Sequence, residues 1–421
     1  MSTGRFDVLV VGSGPAGSFA ALTLARQGAR VALLDKTSFP RDKACGDLVG
    51  PRGLQLLVDA GLSISGGLNV DDLVVVGPTG RRVRLPSATG HTYPGHGTTV
   101  TRAAFDAFLQ EAAIEAGAIP FIGRADRPLE AEGQLDGYRT GTGDELRADF
   151  VIGADGATSH VATTAGLVEA DKVLWGFAVR AYLNQSVELP VIALWEQRRW
   201  HAFPGYGWIF PAANGGANVG LGIATRSKRS EGTGAARMLP AFLDHLRVLG
   251  LIDGAAPEPS RRLGGWLKMG MIGTTPARGK TLLVGDAAGL VNPLQGEGIA
   301  QAMGSGMAAA EAILRAPGHP ADLYRAALAD AHLPYHRIAA VAHATLVGRP
   351  IAVATVGRAL TLPGAGRALA GGWAIFWNEL LDGAPASRAR TVATAATSLG
   401  ERLTVRSRSA RWFSDSLGSS R

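Results

Sequence analysis

The hydrophobic pattern at the start of the chain predicts a strand, a turn, a helix and a second strand. Residues 7–11 form an apolar run that is too short for a helix, so they suit a buried parallel strand. We predict a helix from about Ala16 to Gln27, ended by Gly28, and a second strand from Val31 to Leu34. Elements in this order form a βαβ unit, which is typical of a doubly wound α/β sheet.

Three glycines mark the turn and the start of this helix. Gly12, Gly14 and Gly17 follow the G-x-G-x-x-G spacing, which permits a tight turn, close approach of a pyrophosphate and packing of the helix on the strand. The helix points its positive N-terminus at the phosphates. Asp35 ends the second strand, where its carboxylate can accept hydrogen bonds from an adenosine ribose and disfavours a 2′-phosphate. The pattern therefore favours FAD or NAD over NADP.

The loop after Asp35 holds the chain's single cysteine, Cys45, together with Arg41 and Lys43. A lone cysteine is more often a small packed hydrophobic residue than a reactant. Neighbouring cations lower the pKa of a thiol, so we expect a lowered pKa and a role for Cys45 at the site. A helix from about Pro51 to Ala60 is predicted to follow.

Two later regions alternate between apolar and polar residues and predict an antiparallel sheet. Residues 73–85 alternate around a Pro-Thr-Gly turn, which predicts a hairpin, and short alternating segments continue from Trp175 to Ile223. The second region contains five closely spaced aromatic residues, Trp200, Phe203, Tyr206, Trp208 and Phe210. They could form plain sheet core, but a core alone would make both faces of the strand apolar. We expect one face to line an apolar cavity.

A helix and a strand between these regions are predicted to approach the nucleotide. The helix runs from Thr98 to Ala118, and Arg102 in its first turns could reach a cofactor phosphate or be a solvated charge. Residues 148–159 form a strand that runs into Asp155 and Gly156. In a doubly wound sheet such a strand delivers its last residues to the ligand crevice, although an ordinary turn explains the pattern too.

A second crossover follows later in the chain. Thr281 to Val284 is predicted to be a buried strand, and Gly285 and Asp286 open the glycine-rich loop after it. A long helix then starts near Glu297 or Gly298. If the crevice holds a flavin, the N-terminus of this helix stabilises negative charge on the reduced ring, and Asp286 is placed for the ribityl hydroxyls.

Residues 331–421 are predicted to be mostly helical. Trp373, Phe376 and Trp377 lie close together, and six arginines follow them, Arg388, Arg390, Arg402, Arg406, Arg408 and Arg411. A C-terminal helical domain with a solvated basic face explains this pattern, and docking on an anionic membrane surface is the alternative. We favour the first interpretation, because apolar helices also pack on cores.

Composition narrows the class of protein. The chain has 421 residues, enough for two or three domains, and its 57 glycines suit close backbone approach to a cofactor. One cysteine excludes an intramolecular disulfide and a Cys-rich metal site and favours a reducing, intracellular setting; we expect no metal at the site. The sequence contains no apolar run long enough to span a membrane, and because the first strand begins almost at once we expect no cleavable signal. The net charge of +7 fits an acidic partner, but we see no nucleic-acid module.

Five segments resemble those of known flavoproteins. GSGPAG with Asp35, GADG at 153–156 and GDAAG at 285–289 resemble the FAD-contacting segments of oxidoreductases of the p-hydroxybenzoate hydroxylase type. PRDKACGDLVGPRGL at 40–54 and PGYGWIFP at 204–211 resemble motifs of the geranylgeranyl reductase family, whose members saturate prenyl double bonds with reduced FAD.

This resemblance implies an α/β fold: a Rossmann-like FAD-binding domain, an inserted antiparallel β-sheet substrate domain and a C-terminal helical region. The implied segments are 1–65, 96–166 and 276–330 for FAD binding, 66–95 and 167–275 for the substrate domain, and 331–421 for the helical region.

The resemblance also implies the residues of the site. Those expected at FAD are Gly12, Gly14, Pro15, Ala16, Gly17, Asp35, Lys36, Lys43, Cys45, Gly46, Arg102, Asp155, Gly285, Asp286, Pro293, Gly296, Gly298 and Ile299. Tyr206, Trp208 and Phe210 are expected to line a lipid-shaped pocket, with Cys45 as the candidate proton donor. The chain departs from the family at 47–49, where further glycines are common.

The implied activity is reduction of an isoprenoid chain, in a geranylgeranyl lipid or a prenylated quinone, by hydride from the flavin. The sequence contains no second nucleotide motif, so NADPH, another flavoprotein or a ferredoxin is the expected electron source. A monooxygenase on the same scaffold is the chief alternative, and a prenyl-binding protein without redox chemistry is a further one. The W-x-W-x-I-P motif of flavin halogenases is absent. We expect a cytoplasmic protein, with membrane association left open.

Overall fold

The computed structural model describes residues 4–194, 205–225, 232–254, 262–293, 296–346 and 349–405. The first of its three sheets contains β1 (Phe6–Val11), β2 (Val31–Asp35), β8 (Ile119–Ile122), β9 (Ala125–Ala131), β10 (Gln134–Thr140), β11 (Glu145–Gly153), β17 (Ala277–Arg278) and β18 (Thr281–Leu283). The second contains β5 (Leu73–Val76), β6 (Arg82–Leu85), β12 (Leu174–Leu183), β13 (Val191–Ala193), β14 (Gly205–Pro211), β15 (Ala217–Thr225) and β16 (Leu263–Met269). The third contains β3 (Leu48–Val49), β4 (Leu68–Val70) and β7 (Gly97–Thr99).

Helices cover the sheets and form the C-terminal region. They are α1 (Pro15–Arg26), α2 (Pro51–Asp59), α3 (Arg102–Glu115), α4 (His160–Thr164), α5 (Gly232–Val248), α6 (Ile299–Arg315), α7 (Pro320–Leu346), α8 (Pro350–Ala359), α9 (Gly366–Trp377) and α10 (Arg388–Val405). A 3₁₀ turn spans Gly285–Ala288.

The first sheet is built on parallel strands in the order β8-β2-β1-β11-β18, with β17 antiparallel at one edge. β1 lies at the centre, where Val8 pairs with Val31 of β2 and with Phe150 of β11. Every residue of β2 is buried, which explains why its sequence is an unbroken apolar run up to Asp35. The doubly wound α/β sheet predicted from the strand, helix and strand pattern is therefore confirmed.

The second sheet, in the order β16-β12-β15-β14-β13-β5-β6, has two different faces. Val179, Ile209 and Val219 point to one face and pack with Phe242 of α5 in a shared apolar core. Their neighbours along each strand point to the opposite face, because side chains alternate in a strand. The predicted hairpin over 73–85 is present as β5 and β6.

Helix α3 begins later than predicted. The sequence pattern places its start at Thr98, but Thr98 and Thr99 belong to β7 in the small sheet, which the pattern does not predict. Thr101 ends this extended segment and caps α3, since its hydroxyl accepts a hydrogen bond from the backbone N of Ala104 at 3.3 Å. Local periodicity cannot predict this helix boundary, because it is set by pairing with strands elsewhere in the chain.

The C-terminal region is helical, as predicted. Phe376 and Trp377 of α9 pack with Tyr335 of α7 in one apolar cluster. In the described part of the chain, every helix is too short or too polar to span a bilayer. Five residues singled out above lie outside the described residues: Trp200 and Phe203 in the aromatic segment and Arg406, Arg408 and Arg411 in the tail.

Helices α1 and α6 cross at close range over the parallel sheet. A Cβ on Gly306 of α6 would lie 2.2 Å from the backbone O of Ala16, so this crossing requires a glycine. Gly304, two residues earlier, has the Leu56 Cδ1 at 3.7 Å as the nearest atom to its Cβ position, which is an ordinary contact. The Ser305 hydroxyl accepts a hydrogen bond from the backbone N of Gly285 at 2.9 Å and ties α6 to the turn after β18.

We predict opposite effects for two alanine substitutions in α6. Gly304→Ala should stabilise the protein by about 0.5–1 kcal/mol, because alanine is the better helix former. Gly306→Ala should destabilise it by about 1–3 kcal/mol, because the added methyl overpacks the α1 crossing. Urea unfolding followed by circular dichroism measures both. Equal stability of the two variants would contradict the close crossing.

Candidate active site

The glycine turn after β1 has the geometry that its spacing predicts. Gly12 has φ +106°, and a Cβ there would lie 2.3 Å from the backbone O of Ala154. A Cβ on Gly17 would lie 1.8 Å from the backbone O of Gly12. Gly14 is open by contrast, since the nearest atom to its Cβ position is the Arg41 Nη2 at 3.5 Å. Two glycines are thus required by the turn itself, and the third leaves backbone accessible to a ligand such as a pyrophosphate.

Asp35 fixes this turn from the neighbouring strand. Its carboxylate accepts hydrogen bonds from the backbone N of Ser13 at 2.8 Å and from the backbone N of Thr37 at 3.0 Å. The Thr37 hydroxyl also donates to Oδ1 at 3.0 Å, so Oδ2 is the oxygen that can accept a further hydrogen bond. The predicted ribose contact fits this geometry and stays a prediction. Lys36, predicted beside it, is exposed to solvent.

Asp155 is engaged with its own helix. The Ser159 hydroxyl and the backbone N atoms of His160 and Val161 donate hydrogen bonds to its carboxylate. Asp155 therefore satisfies backbone donors at the start of α4, which is a structural role. Its contact with the cofactor stays a prediction, and so does that of Gly156.

The second crossover and the cysteine loop meet at Asp286. The Lys43 Nζ lies 3.4 Å from the Asp286 Oδ2, and the Cβ position of Gly298 lies 3.8 Å from the Asp286 Oδ1. Gly298 is the N-cap of α6, within the predicted range. Glu297 beside it was not singled out from the sequence, and burial raises its pKa to about 7 although the backbone N atoms of Ile299 and Ala300 lower it. Lys43, Asp286 and Glu297 therefore form a group of ionisable residues between the cysteine loop and α6, which we call the Asp286 corner.

A cavity of about 760 Å³ opens beside this corner. Tyr206, Trp208 and Phe210 of β14 all point into it, while Ile209 between them packs in the core beneath. The predicted alternation of the aromatic strand is therefore observed in the geometry. Pro15, Cys45, Gly46, Pro293, Gly296 and Ile299 from the predicted set also line the cavity.

The far wall of the cavity comes from the C-terminal helices, which the sequence reasoning did not assign to the site. Val353 and Gly357 of α8 and Arg367 and Gly371 of α9 line it. In each helix the two residues are four positions apart and therefore share one face. This spacing is the sequence pattern that could have predicted a shared face toward the cavity. The cavity thus extends from the Asp286 corner to the C-terminal region.

Asp47 links the cysteine loop to the second sheet, a role that the sequence pattern does not predict. Tyr182 of β12 donates a hydrogen bond to its carboxylate, as does the Asn218 Nδ2 of β15 at 2.8 Å. Asn218 also donates to the backbone O of Cys45 at 2.8 Å and accepts from the Trp208 Nε1 at 2.9 Å. One network therefore joins the aromatic strand to the loop.

Arg102 is a buried ion-pair partner rather than a solvated charge. It is 5 % exposed, and its Nε and Nη2 each lie 2.7 Å from the carboxylate of Asp106, one turn later in α3. The Arg41 Nη1 lies 3.2 Å from the same carboxylate. Arg102 lines the cavity, so a phosphate contact stays a prediction.

The expectation of a lowered pKa for Cys45 is wrong. Burial raises the pKa of this thiol, and the opposing positive charge of Arg102 does not outweigh it. The backbone N of Asp47 donates a weak hydrogen bond to the Cys45 Sγ at 3.4 Å. The site therefore presents a neutral thiol to the cavity.

Comparison with known proteins places this geometry in a family. The chain matches the FAD binding domain family over residues 5–317. It is 33% identical over 316 residues to the menaquinone reductase of Mycolicibacterium smegmatis, covering 73% of this chain and 76% of that protein. It is 35% identical over 314 residues to the digeranylgeranylglycerophospholipid reductase 2 of Methanopyrus kandleri, covering 73% of this chain and 76% of that protein.

A solved structure shares the fold. A geranylgeranyl bacteriochlorophyll reductase-like protein from Thermoplasma acidophilum superposes with a TM-score of 0.74, covering 90% of this chain and 98% of that chain, at 24% sequence identity. The family match spans more than half of the chain and includes its glycine turn, cysteine loop and aromatic strand. The chain belongs to the geranylgeranyl reductase family of FAD-dependent oxidoreductases.

Proposed function

We propose that this protein saturates carbon–carbon double bonds in the prenyl chain of a lipid, either a geranylgeranyl lipid or a prenylated quinone. The observation that carries the proposal is the cavity of about 760 Å³, which runs from Cys45 and Asp286 past an aromatic strand to the C-terminal helices. Such a cavity suits a long apolar chain, because its walls offer apolar contact and few polar partners. The two relatives reported above are named as reductases of molecules that carry prenyl chains.

The residues at the glycine turn and at α6 fit FAD. Gly14 leaves room for a pyrophosphate, and Asp35 keeps acceptor capacity for a ribose. Asp286, beside the start of α6, is placed to accept hydrogen bonds from a ribityl chain. When bound, FAD supplies the hydride. The protein holds the substrate at a suitable distance from the flavin and provides a cavity that excludes water. The cofactor contacts expected from the sequence are part of this proposal.

The protein must also supply a proton. An isolated alkene has no electron-withdrawing group, so addition of hydride to one carbon must be coupled to protonation of the other. We assign the proton to Cys45, because its thiol borders the cavity and burial keeps it neutral. Tyr206, Trp208 and Phe210 exclude water from the same space.

The proposed reaction needs an electron donor for the flavin. We assign its reduction to NADPH, another flavoprotein or a ferredoxin, because the sequence contains no second nucleotide motif.

The proposed substrate also implies a contact with a membrane. A prenyl lipid resides in membranes, and Arg388, Arg390 and Arg402 give α10 a basic character. We therefore propose a peripheral contact between the C-terminal helices and an anionic membrane surface.

Anaerobic turnover tests the reaction. Purified protein with chemically reduced flavin should convert a geranylgeranyl lipid to a product heavier by two hydrogen atoms for each bond reduced, measured by mass spectrometry. If a prenylated quinone is the substrate, the product is reoxidised in air before mass spectrometry. The two hydrogens added by reduction of the quinone ring are then not counted as saturation of the prenyl chain. Product that forms only with oxygen and gains an oxygen atom would show a monooxygenase instead. A colourless protein that binds the lipid unchanged would show a carrier.

Filling the cavity should block the substrate and spare the flavin. Gly222 lines the cavity, and the nearest atom to its Cβ position is the Trp208 Cζ3 at 3.9 Å, so Gly222→Leu adds bulk without a backbone clash. We expect kcat/KM to fall at least about tenfold, since apolar fit of this size is worth that much. Gly234→Leu is the control, because Gly234 lies on α5 with open space around its Cβ position. Unchanged kinetics in Gly222→Leu would place the substrate elsewhere.

The protonation state of Cys45 can be measured directly, since it is the chain's single thiol. The raised pKa suppresses the thiolate at neutral pH. The rate of alkylation by iodoacetamide should therefore have its midpoint above the ordinary pH of about 8.5. The urea-unfolded chain is the control with an ordinary thiol. A midpoint below that of the unfolded chain would indicate that Arg102 dominates and would remove Cys45 as the proton donor.

A further inference from the structure

A cluster of three ionisable residues lies outside the proposed active site. His332 and His336 are one turn apart on α7, and Glu379 follows α9. The His332 Nδ1 lies 2.9 Å from the Glu379 Oε2, and the His336 Nε2 lies 3.3 Å from the Glu379 Oε1. The three residues are 7 %, 0 % and 8 % exposed, in the order His332, His336, Glu379. One nitrogen from each ring and one carboxylate oxygen all lie within 4.8 Å of one another.

The cluster is only partly satisfied by hydrogen bonds. The His332 Nδ1 and the Glu379 Oε2 are hydrogen-bonded, whereas among the described residues neither ring nitrogen of His336 has a hydrogen-bond partner, and the Glu379 Oε1 has none either. Buried polar atoms are rarely left unpartnered, because their removal from water costs free energy. A neutral imidazole has one nitrogen with a lone pair that can bind a metal ion. The unpartnered atoms of His336 and Glu379 are therefore available as metal ligands.

Glu379 has a strained backbone conformation at the position where its carboxylate meets the two histidines. Glu379 has φ +55°, the left-handed conformation that usually belongs to glycine at the end of a helix. The backbone N of Glu379 donates to Phe376 O at 3.2 Å, and that of Leu380 donates to Ile375 O at 2.9 Å, so this residue ends α9. A glycine would end the helix without strain but would bring no carboxylate to the histidines. Strained residues of this kind often mark functional positions.

We propose that His332, His336 and Glu379 bind one divalent transition-metal ion of the zinc class. Two neutral imidazoles and a carboxylate are ligands that Zn²⁺ prefers, and metal–ligand bonds of about 2.0–2.1 Å place neighbouring ligand atoms about 3.3 Å apart in a tetrahedron. The separations of 2.9 Å and 3.3 Å, one to each carboxylate oxygen of Glu379, are close to this spacing. A bound ion would satisfy the unpartnered atoms of His336 and Glu379, and water takes the fourth position.

This ion would act as a structural tie. It would join α7 to the end of α9, and the neighbouring residues Asn378 and Leu380 line the cavity. The Asn292 Nδ2 donates to the backbone O of Trp377 at 3.4 Å, so the same segment touches the loop before α6. The metal therefore fixes the wall of the cavity at a distance from the reacting bond, whatever the substrate.

Metal analysis of the flavin-loaded protein without a polyhistidine tag tests the proposal. The protein is stripped with a chelator, incubated with Zn²⁺, dialysed and measured by inductively coupled plasma mass spectrometry. We expect about one zinc ion per chain, and a rise in the unfolding temperature of a few degrees, because a ligand of the folded state stabilises it. His336→Ala and Glu379→Gln should each lose both effects. His319→Ala removes an exposed histidine and should keep them.

Wild-type protein alone can overturn the proposal. Retention of less than about a tenth of a zinc ion per chain after dialysis would do so, since an ion that ties folded elements together is bound tightly. If a variant fails to fold, X-ray absorption of the zinc-loaded wild type decides. Two imidazole nitrogens and carboxylate oxygen in the first shell support the site, whereas a sulfur ligand would assign the zinc to Cys45 and refute it. Zinc bound equally by wild type and by folded Glu379→Gln would refute it too.

Discussion

The arrangement of this protein depends on one buried carboxylate that joins the second sheet to the start of helix α3. Asp47 accepts hydrogen bonds from Tyr182 of β12, from Asn218 of β15 and from the backbone N of Arg102 at the start of α3. Burial raises the pKa of Asp47, and these donors oppose that effect, so the carboxylate is stable only while the network is complete. Its φ of +63° is the conformation that glycine adopts readily. A glycine here would give the same turn but no acceptor, and the loop that carries Cys45 would lose its link to the substrate sheet.

The cavity follows from the alternation of side chains in that sheet. Tyr206, Trp208 and Phe210 share one face because they are two residues apart, and α5 covers the other face. The neighbouring strand β15 makes room for them with glycines. A Cβ on Gly220 would lie 2.2 Å from the Trp208 Cζ2, so the indole ring lies directly over the backbone. The indole Nε1 donates to Asn218 and thereby to the Asp47 network. The apolar wall and the buried polar network therefore share one face of these strands.

Local sequence predicted those parts of the structure that are set by residues close in the chain. The first strand, the glycine turn and α1 are of this kind, because burial on both faces and a required φ are visible within a few residues. Long-range packing decided the rest. The pKa of Cys45 was predicted with the wrong sign, because only the tertiary structure tells whether burial outweighs Arg102. The Arg102–Asp106 pair did have a signal, since an arginine and an aspartate four residues apart share one helix face. His332 and Glu379 are 47 residues apart, so no local pattern could bring them together.

The cavity is lined partly by residues inside the family match and partly by residues beyond it. The match covers residues 5–317, which hold the glycine turn, the cysteine loop, the aromatic strand and the start of α6. The far wall comes from residues between 343 and 389, beyond that match. Under the proposed function, reduction takes place at the matched end, and the C-terminal helices meet the rest of the lipid. Arg367 and Arg388 also line the cavity there, so under the same proposal a polar head group has cationic partners among the C-terminal helices. The reacting bond and the rest of the lipid would then contact different parts of the chain, one inside the family match and one beyond it, because the cavity wall is built from both.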